Sequence, residues 1–182
     1  RSAVYADYLL IQRICQFFTS VLQLISSAFL PIIYEQSVTE AGRKKIRTLQ
    51  HALVASHIPI LILSTTLLLW WQNRVFSTTE LVYFFPFSLI AFFALADMSG
   101  VGLGFIKGNK TREILSISFA YLVINSLAQI LVGRWLGIGG VLVSNCIVAI
   151  AYSLFYLHRS EKHFRIGYNQ KLVGMFYVVM VT

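Results

Sequence analysis

Residues Tyr5 to Tyr34, YADYLLIQRICQFFTSVLQLISSAFLPIIY, constrain this chain more than any other stretch. Within them, Ile14 to Tyr34 is 21 residues without a formal charge, enough α-helix to cross about 30 Å of hydrocarbon. The stretch is not apolar all round. Arg13, Gln16, Ser20, Gln23 and Ser27 recur at steps of three, four, three and four, which draws one polar stripe along a helix. Unpaired polar groups in hydrocarbon are costly, so the stripe should face a partner helix or a water-filled cavity.

The rest of the chain has the same character. Of 182 residues, 57% are apolar and only 12% charged, where a soluble domain would be about a quarter charged. The expected fold is therefore all-α, a polytopic transmembrane helix bundle. No initiator Met or secretory signal opens the chain, and Arg1 leads directly into the first span. The final apolar run, Leu172 to Thr182, has 11 residues and is too short to cross. Both ends read as cuts within a longer membrane protein. Cys15 and Cys146 fall in separate apolar spans and read as small hydrophobes, with no metal or redox spacing.

Five complete spans and a truncated sixth are expected, at about 8–34, 52–71, 81–106, 114–133, 135–157 and 172–182. Pro31 should distort the last turns of the first. After it, Ser37 and Glu40 have capping-box spacing, so a helix should restart near Val38. Its first turns carry Arg43, Lys44, Lys45 and Arg47, at the level of lipid headgroups. In the second span, His57 precedes Pro59, which predicts a kink. The histidine reads as a partner for a freed carbonyl, or as one member of a proton relay. The third span holds Pro86, Asp97 and glycines at 100, 102 and 104. Its GVGLG run lacks the preceding strand and the spacing of a nucleotide fingerprint, and so reads as a helix contact or break. Ser118, Tyr121, Asn125 and Gln129 share one face of the fourth span, and Gly140 and Ser144 form a small-xxx-small surface in the fifth.

Charge sets the direction. The loops after spans one, three and five carry 11 cations: Arg43, Lys44, Lys45 and Arg47; Lys107, Lys110 and Arg112; Arg159, Lys162, Arg165 and Lys171. The loops after spans two and four carry two, Arg74 and Arg134. That alternation puts loops 35–50, 107–113 and 158–171 in the cytoplasm, with the chain in the cytoplasmic membrane. Trp70, Trp71 and Trp135 all fall on the outer side, as an interfacial belt would. The sequon Asn109-Lys110-Thr111 falls on the cytoplasmic side and is discounted. Topology thus explains 13 of the 15 cations, and the net charge of +8 calls for no nucleic acid or other anionic partner.

Arg13 is left over, and it has two readings. It snorkels to outer headgroups, or it lines a cavity and meets an anion; its place at the head of the stripe favours the second. Asp97 needs a partner or a proton inside the third span. It reads as a structural pairing, with a coupling-ion or proton site as the sharper alternative. Asn125 and Gln129 read as interhelical glue or as substrate contacts. No metal cluster, cofactor motif or catalytic constellation is present in the sequence, and the outer loops are short, so an enzyme is not expected.

The order of these features resembles the C-terminal half of the polysaccharide flippases of the Wzx type, in the multidrug/oligosaccharidyl-lipid/polysaccharide exporter superfamily. The resemblance rests on Tyr8, Gln12, Arg13 and Pro31 in the first span, on the Gly108-Asn109-Lys110 turn, and on Gly137 to Gly140 leading into VLVSN. It covers nearly the whole chain. It implies part of one lobe of a two-lobed flippase that carries a polyprenyl-diphosphate-linked oligosaccharide, such as an O-antigen unit for lipopolysaccharide, by alternating access. The partners would be that lipid-linked glycan, membrane lipids and an N-terminal lobe absent from this sequence. Arg13 would meet the diphosphate, with Gln16, Ser20, Gln23, Asn125 and Gln129 as cavity candidates and Asp97 as the ion-coupling candidate. Alternatives are a multidrug or cation-coupled exporter, a lipid II flippase, or a membrane enzyme of glycan assembly. The last would need a large outer loop rich in Arg and His.

Overall fold

In a computed structural model, the backbone is described for residues 2–76, 80–101 and 103–181, and every regular element among them is helical. The elements are α1 (Ser2–Gln36), α2 (Glu40–Val75), a 3-10 turn (Glu80–Phe84), α3 (Phe85–Val101), α4 (Leu103–Lys107), α5 (Thr111–His163) and α6 (Gln170–Val181). The glycine at 102 and the side chain of Ser27 lie outside the described residues.

The core is α3. Leu89, Ile90, Ala91, Phe93 and Ala94 are all fully buried, so this apolar segment has neighbours on every side, as a central helix requires. Pro86 sits in its first turn, where the missing N–H has no partner to lose. α1 packs on α3 through Ile11, Cys15 and Leu22, and Gln12 Nε2 donates to Ser88 Oγ at 3.3 Å. Cys146 on α5 is also buried, and both thiols are free.

α5 is two helices. Gly137 has φ 65° and ψ −156°, a backbone conformation essentially confined to glycine, and the chain folds back there. Hydrogen bonds between residues 34 and 20 positions apart, Ser118–Tyr152 and Asn125–Asn145, require an antiparallel pair. Tyr121 stacks on Tyr152 at 4.2 Å. The segments expected as the fourth and fifth spans are therefore the arms of one αα-hairpin. The reversal falls at Gly137, three residues beyond the expected turn at Arg134.

Two further expectations are corrected. The cap of α2 is Thr39, whose Oγ1 accepts from Gly42 N at 3.0 Å, and the helix begins at Glu40 rather than near Val38. Ser37 follows directly on the last residue of α1, its N–H bonding Ile33 O, and lies three residues before the first residue of α2. The basic connection after the fifth span is shorter than expected, since helix continues to His163. Pro31 and Pro59 both lie inside their helices, which run on to Gln36 and Val75.

The three basic loops meet at one end of the bundle. Arg47 Nη1 donates to Gly167 O at 3.2 Å, Lys107 lies 4.9 Å from the centre of the Phe164 ring, and Glu113 bridges Arg159 at 2.8 Å and His163 at 2.7 Å. The Gly-Asn-Lys turn caps α4 at the same end: Asn109 takes φ 52°, and Lys110 N donates back to Phe105 O at 2.9 Å.

Two segments, Glu40–Gln72 and Thr111–His163, are long and apolar enough to cross a membrane by length and composition. Their outward faces expose Ile62, Leu63, Trp70, Leu115, Phe119 and Ile130. Large apolar patches exposed in this way are the kind of surface that meets lipid or further protein.

Candidate functional site

Two polar regions stand out, one on the outside of the bundle and one at its centre. The outer one is the stripe of α1. A helix advances 100° per residue, so burying Ile11, Cys15 and Leu22 against α3 turns Arg13, Gln16, Ser20 and Gln23 away from it. All four are exposed, and their side chains have no hydrogen-bond partner among the described residues. The outward face is split lengthwise. Beside the polar edge runs an apolar one of Phe17, Val21 and Leu24, each at least 42% exposed.

The inner region is built around Asp97. Its carboxylate is buried where α2, α3 and α6 meet. The Tyr177 hydroxyl donates to Asp97 Oδ2 at 2.7 Å, and Gln50 Nε2 reaches the Asp97 carbonyl at 3.5 Å. On the other side, His57 Nε2 stands 3.6 Å from Asp97 Oδ1, just beyond hydrogen-bond length. The imidazole is fully buried and stacks on Phe93, with centroids 4.4 Å apart. Neither ring nitrogen meets a freed carbonyl, as the Pro59 kink had suggested; both lack a hydrogen bond, and so does Asp97 Oδ1.

A cavity of about 10 Å³ adjoins the carboxylate, lined by Gln50, Val54, Ser153 and Tyr177 among others. That is room for about one water. Chemically, the group can hold a proton between two facing acceptors, since one proton on Oδ1 or on Nε2 would complete the pair. Among the described residues no three His, Cys, Asp or Glu side chains converge as metal ligands would.

Asn125 and Gln129 are not part of either region. Both donate to Asn145 Oδ1, at 3.0 and 3.3 Å, so their amides tie the two arms of the α5 hairpin together. The structure thus brings Asp97 together with His57 and keeps both apart from the stripe. Tyr177 and Gln50 had no sequence signal of their own. Tyr177 lies in a run too short to read as a span, and Gln50 sits among cations at a helix start.

Compared with protein-family models, curated proteins and solved structures, the chain matches none.

Proposed function

We propose that this chain is the C-terminal part of a multi-pass transporter of the cytoplasmic membrane. It flips a polyprenyl-diphosphate-linked oligosaccharide between leaflets by alternating access. The observation that carries this reading is the polar edge of α1, turned outward from a bundle whose α2 and α5 expose mainly apolar side chains. A stripe bearing a guanidinium and two amides has a place only beside water or a second polar surface. An N-terminal lobe of the same protein would supply the facing wall, and the apolar edge of α1 would meet lipid. Two further features support the reading. One is the order of the Tyr8-Gln12-Arg13, Gly108-Asn109-Lys110 and Gly137–Gly140 motifs. The other is the gathering of the basic loops at one end, as cytoplasmic loops require.

In this mechanism Arg13 meets the diphosphate through its planar fork of donors, and Gln16, Ser20 and Gln23 offer hydrogen bonds to the sugar hydroxyls below it. Arg13→Gln in the full-length protein should reduce glycan export, and Arg13→Lys should retain a part of it. Export unchanged by both substitutions would remove the diphosphate role. A second reading, a cation-coupled exporter of the same superfamily, is favoured by the buried Asp97–His57 pair. Export that collapses in Asp97→Asn and no longer responds to an imposed proton gradient would favour it.

A further inference from the structure

Four cations from two distant stretches converge on an open cleft of about 740 Å³ between the first turns of α2 and the 164–169 connection. Arg43, Lys44 and Arg47 come from α2 and Arg165 from the connection, with Glu40 as the one carboxylate in the lining. The bias of Lys and Arg to cytoplasmic loops accounts for the end at which they lie. It does not account for their meeting, because like charges brought together repel.

The convergence is built by specific contacts. Arg47 Nη1 donates to the Gly167 carbonyl across 120 residues of sequence. Both oxygens of Glu161 accept backbone N–H groups of the connection, from Ile166 at 3.1 Å and Gly167 at 3.0 Å. Gly167 has φ 86°, and a Cβ there would stand 3.0 Å from Arg47 Nη1, so the close approach suits glycine. Glu161 is therefore occupied in shaping the connection. Among the described residues, Arg43, Lys44 and Arg165 have no carboxylate partner. A second hollow of about 390 Å³ shares Arg47, Arg165 and Gly167 with the cleft and adds Lys162 together with His158 and Glu161. Guanidinium forks set around a gap match the oxygens of a phosphate.

We propose that this cleft is a binding site for a phosphate group, borne either by an anionic lipid headgroup or by a soluble phosphate compound. The site does not depend on the identity of the transported cargo.

The test uses the full-length protein in a zwitterionic detergent with two probes. Retention of phosphatidylglycerol against phosphatidylcholine is measured by native mass spectrometry, and binding of inorganic pyrophosphate by calorimetry. At least one probe should bind. Arg43→Gln and Arg165→Gln should each weaken it about fivefold, and the pair about 25-fold. Glu40→Gln should strengthen it, and Lys110→Gln with Arg112→Gln, at the same end but outside the cleft, should leave it unchanged. Retention of the lipid without competition from pyrophosphate assigns a headgroup; pyrophosphate binding that displaces the lipid assigns a soluble phosphate. The proposal falls if neither probe binds, or if the Lys110 and Arg112 substitutions weaken binding as much as those in the cleft. Lys44→Gln, at an exposed position, repeats the test should the Arg43 and Arg165 variants melt early.

Discussion

The segments read from sequence as the first and fourth spans carry polar stripes at helical spacing, and the bundle treats them differently. Asn125 and Gln129 each give their amide to Asn145 on the opposite arm of their hairpin. Gln16, Ser20 and Gln23 point outward. The difference lies in what the other face of each helix does. α1 buries Ile11, Cys15 and Leu22 on α3, and geometry then leaves its polar edge to the outside. The fourth span has its antiparallel neighbour fixed by the turn at Gly137, and its amides come opposite an acceptor. Spacing alone thus distinguishes a polar face from an apolar one, whereas the partner decides between glue and cavity.

The sharpest way to break this comparison is chemical access. In the full-length protein with Cys15→Ala and Cys146→Ala, Gln16→Cys and Gln23→Cys should react nearly to completion with a charged thiol reagent. Asn145→Cys should stay almost unreacted. Equal protection at all three positions would make the α1 stripe another buried contact and remove the cavity.

Stability gives the next measurements. Tyr177→Phe leaves Asp97 Oδ2 without its donor and should cost about 1–3 kcal/mol in unfolding free energy. A cost under about 0.5 kcal/mol, the range of an ordinary surface change, would show that the bond is not made. Asn145→Ala removes one acceptor from two donors and should cost about 1 kcal/mol, while Gln23→Ala should change stability by less than about 0.5 kcal/mol. Similar costs for the two would erase the distinction between the stripes.

The smallest effect is a pH dependence at the base of the hairpin. Desolvation raises the Glu113 carboxyl, but His163 and Arg159 outweigh it and hold the group below its ordinary value of 4.5. A lowered folded value means that the unfolded chain binds the proton more readily. The stabilisation is therefore complete above pH 4.5 and is lost as pH falls through the lowered value. Thermal unfolding of Glu113→Gln should lack that acid limb; an identical limb in the variant would assign it to other carboxyls.

Much of the bundle is legible from the sequence because its elements announce themselves by length and period. The helices and the three cation-rich connections depend only on local composition. The partners of the polar groups are hidden because each depends on long-range register. Asn145 meets Asn125 because the reversal falls at Gly137; from sequence the turn reads as Arg134, since a charge is a louder signal than one glycine among four nearby. Tyr177 reaches Asp97 across 80 residues, from a segment whose shortness conceals it. The cap of α2 reads as Ser37 from its spacing to Glu40, but α1 runs on to Gln36 and the helix that starts at Glu40 takes Thr39 as its cap.

The reversal at Gly137 also bears on how such a hairpin is made. A pair of helices joined through one extended residue has no loop that can wait on the far side while the second arm is synthesised. In the proposed membrane setting the two arms must enter together, drawing the single guanidinium of Arg134 across with them. A nascent chain ending soon after Gly137 would hold the amides of Asn125 and Gln129 in lipid without Asn145 to receive them. Biogenesis, like packing, turns on the residue that lets the chain double back.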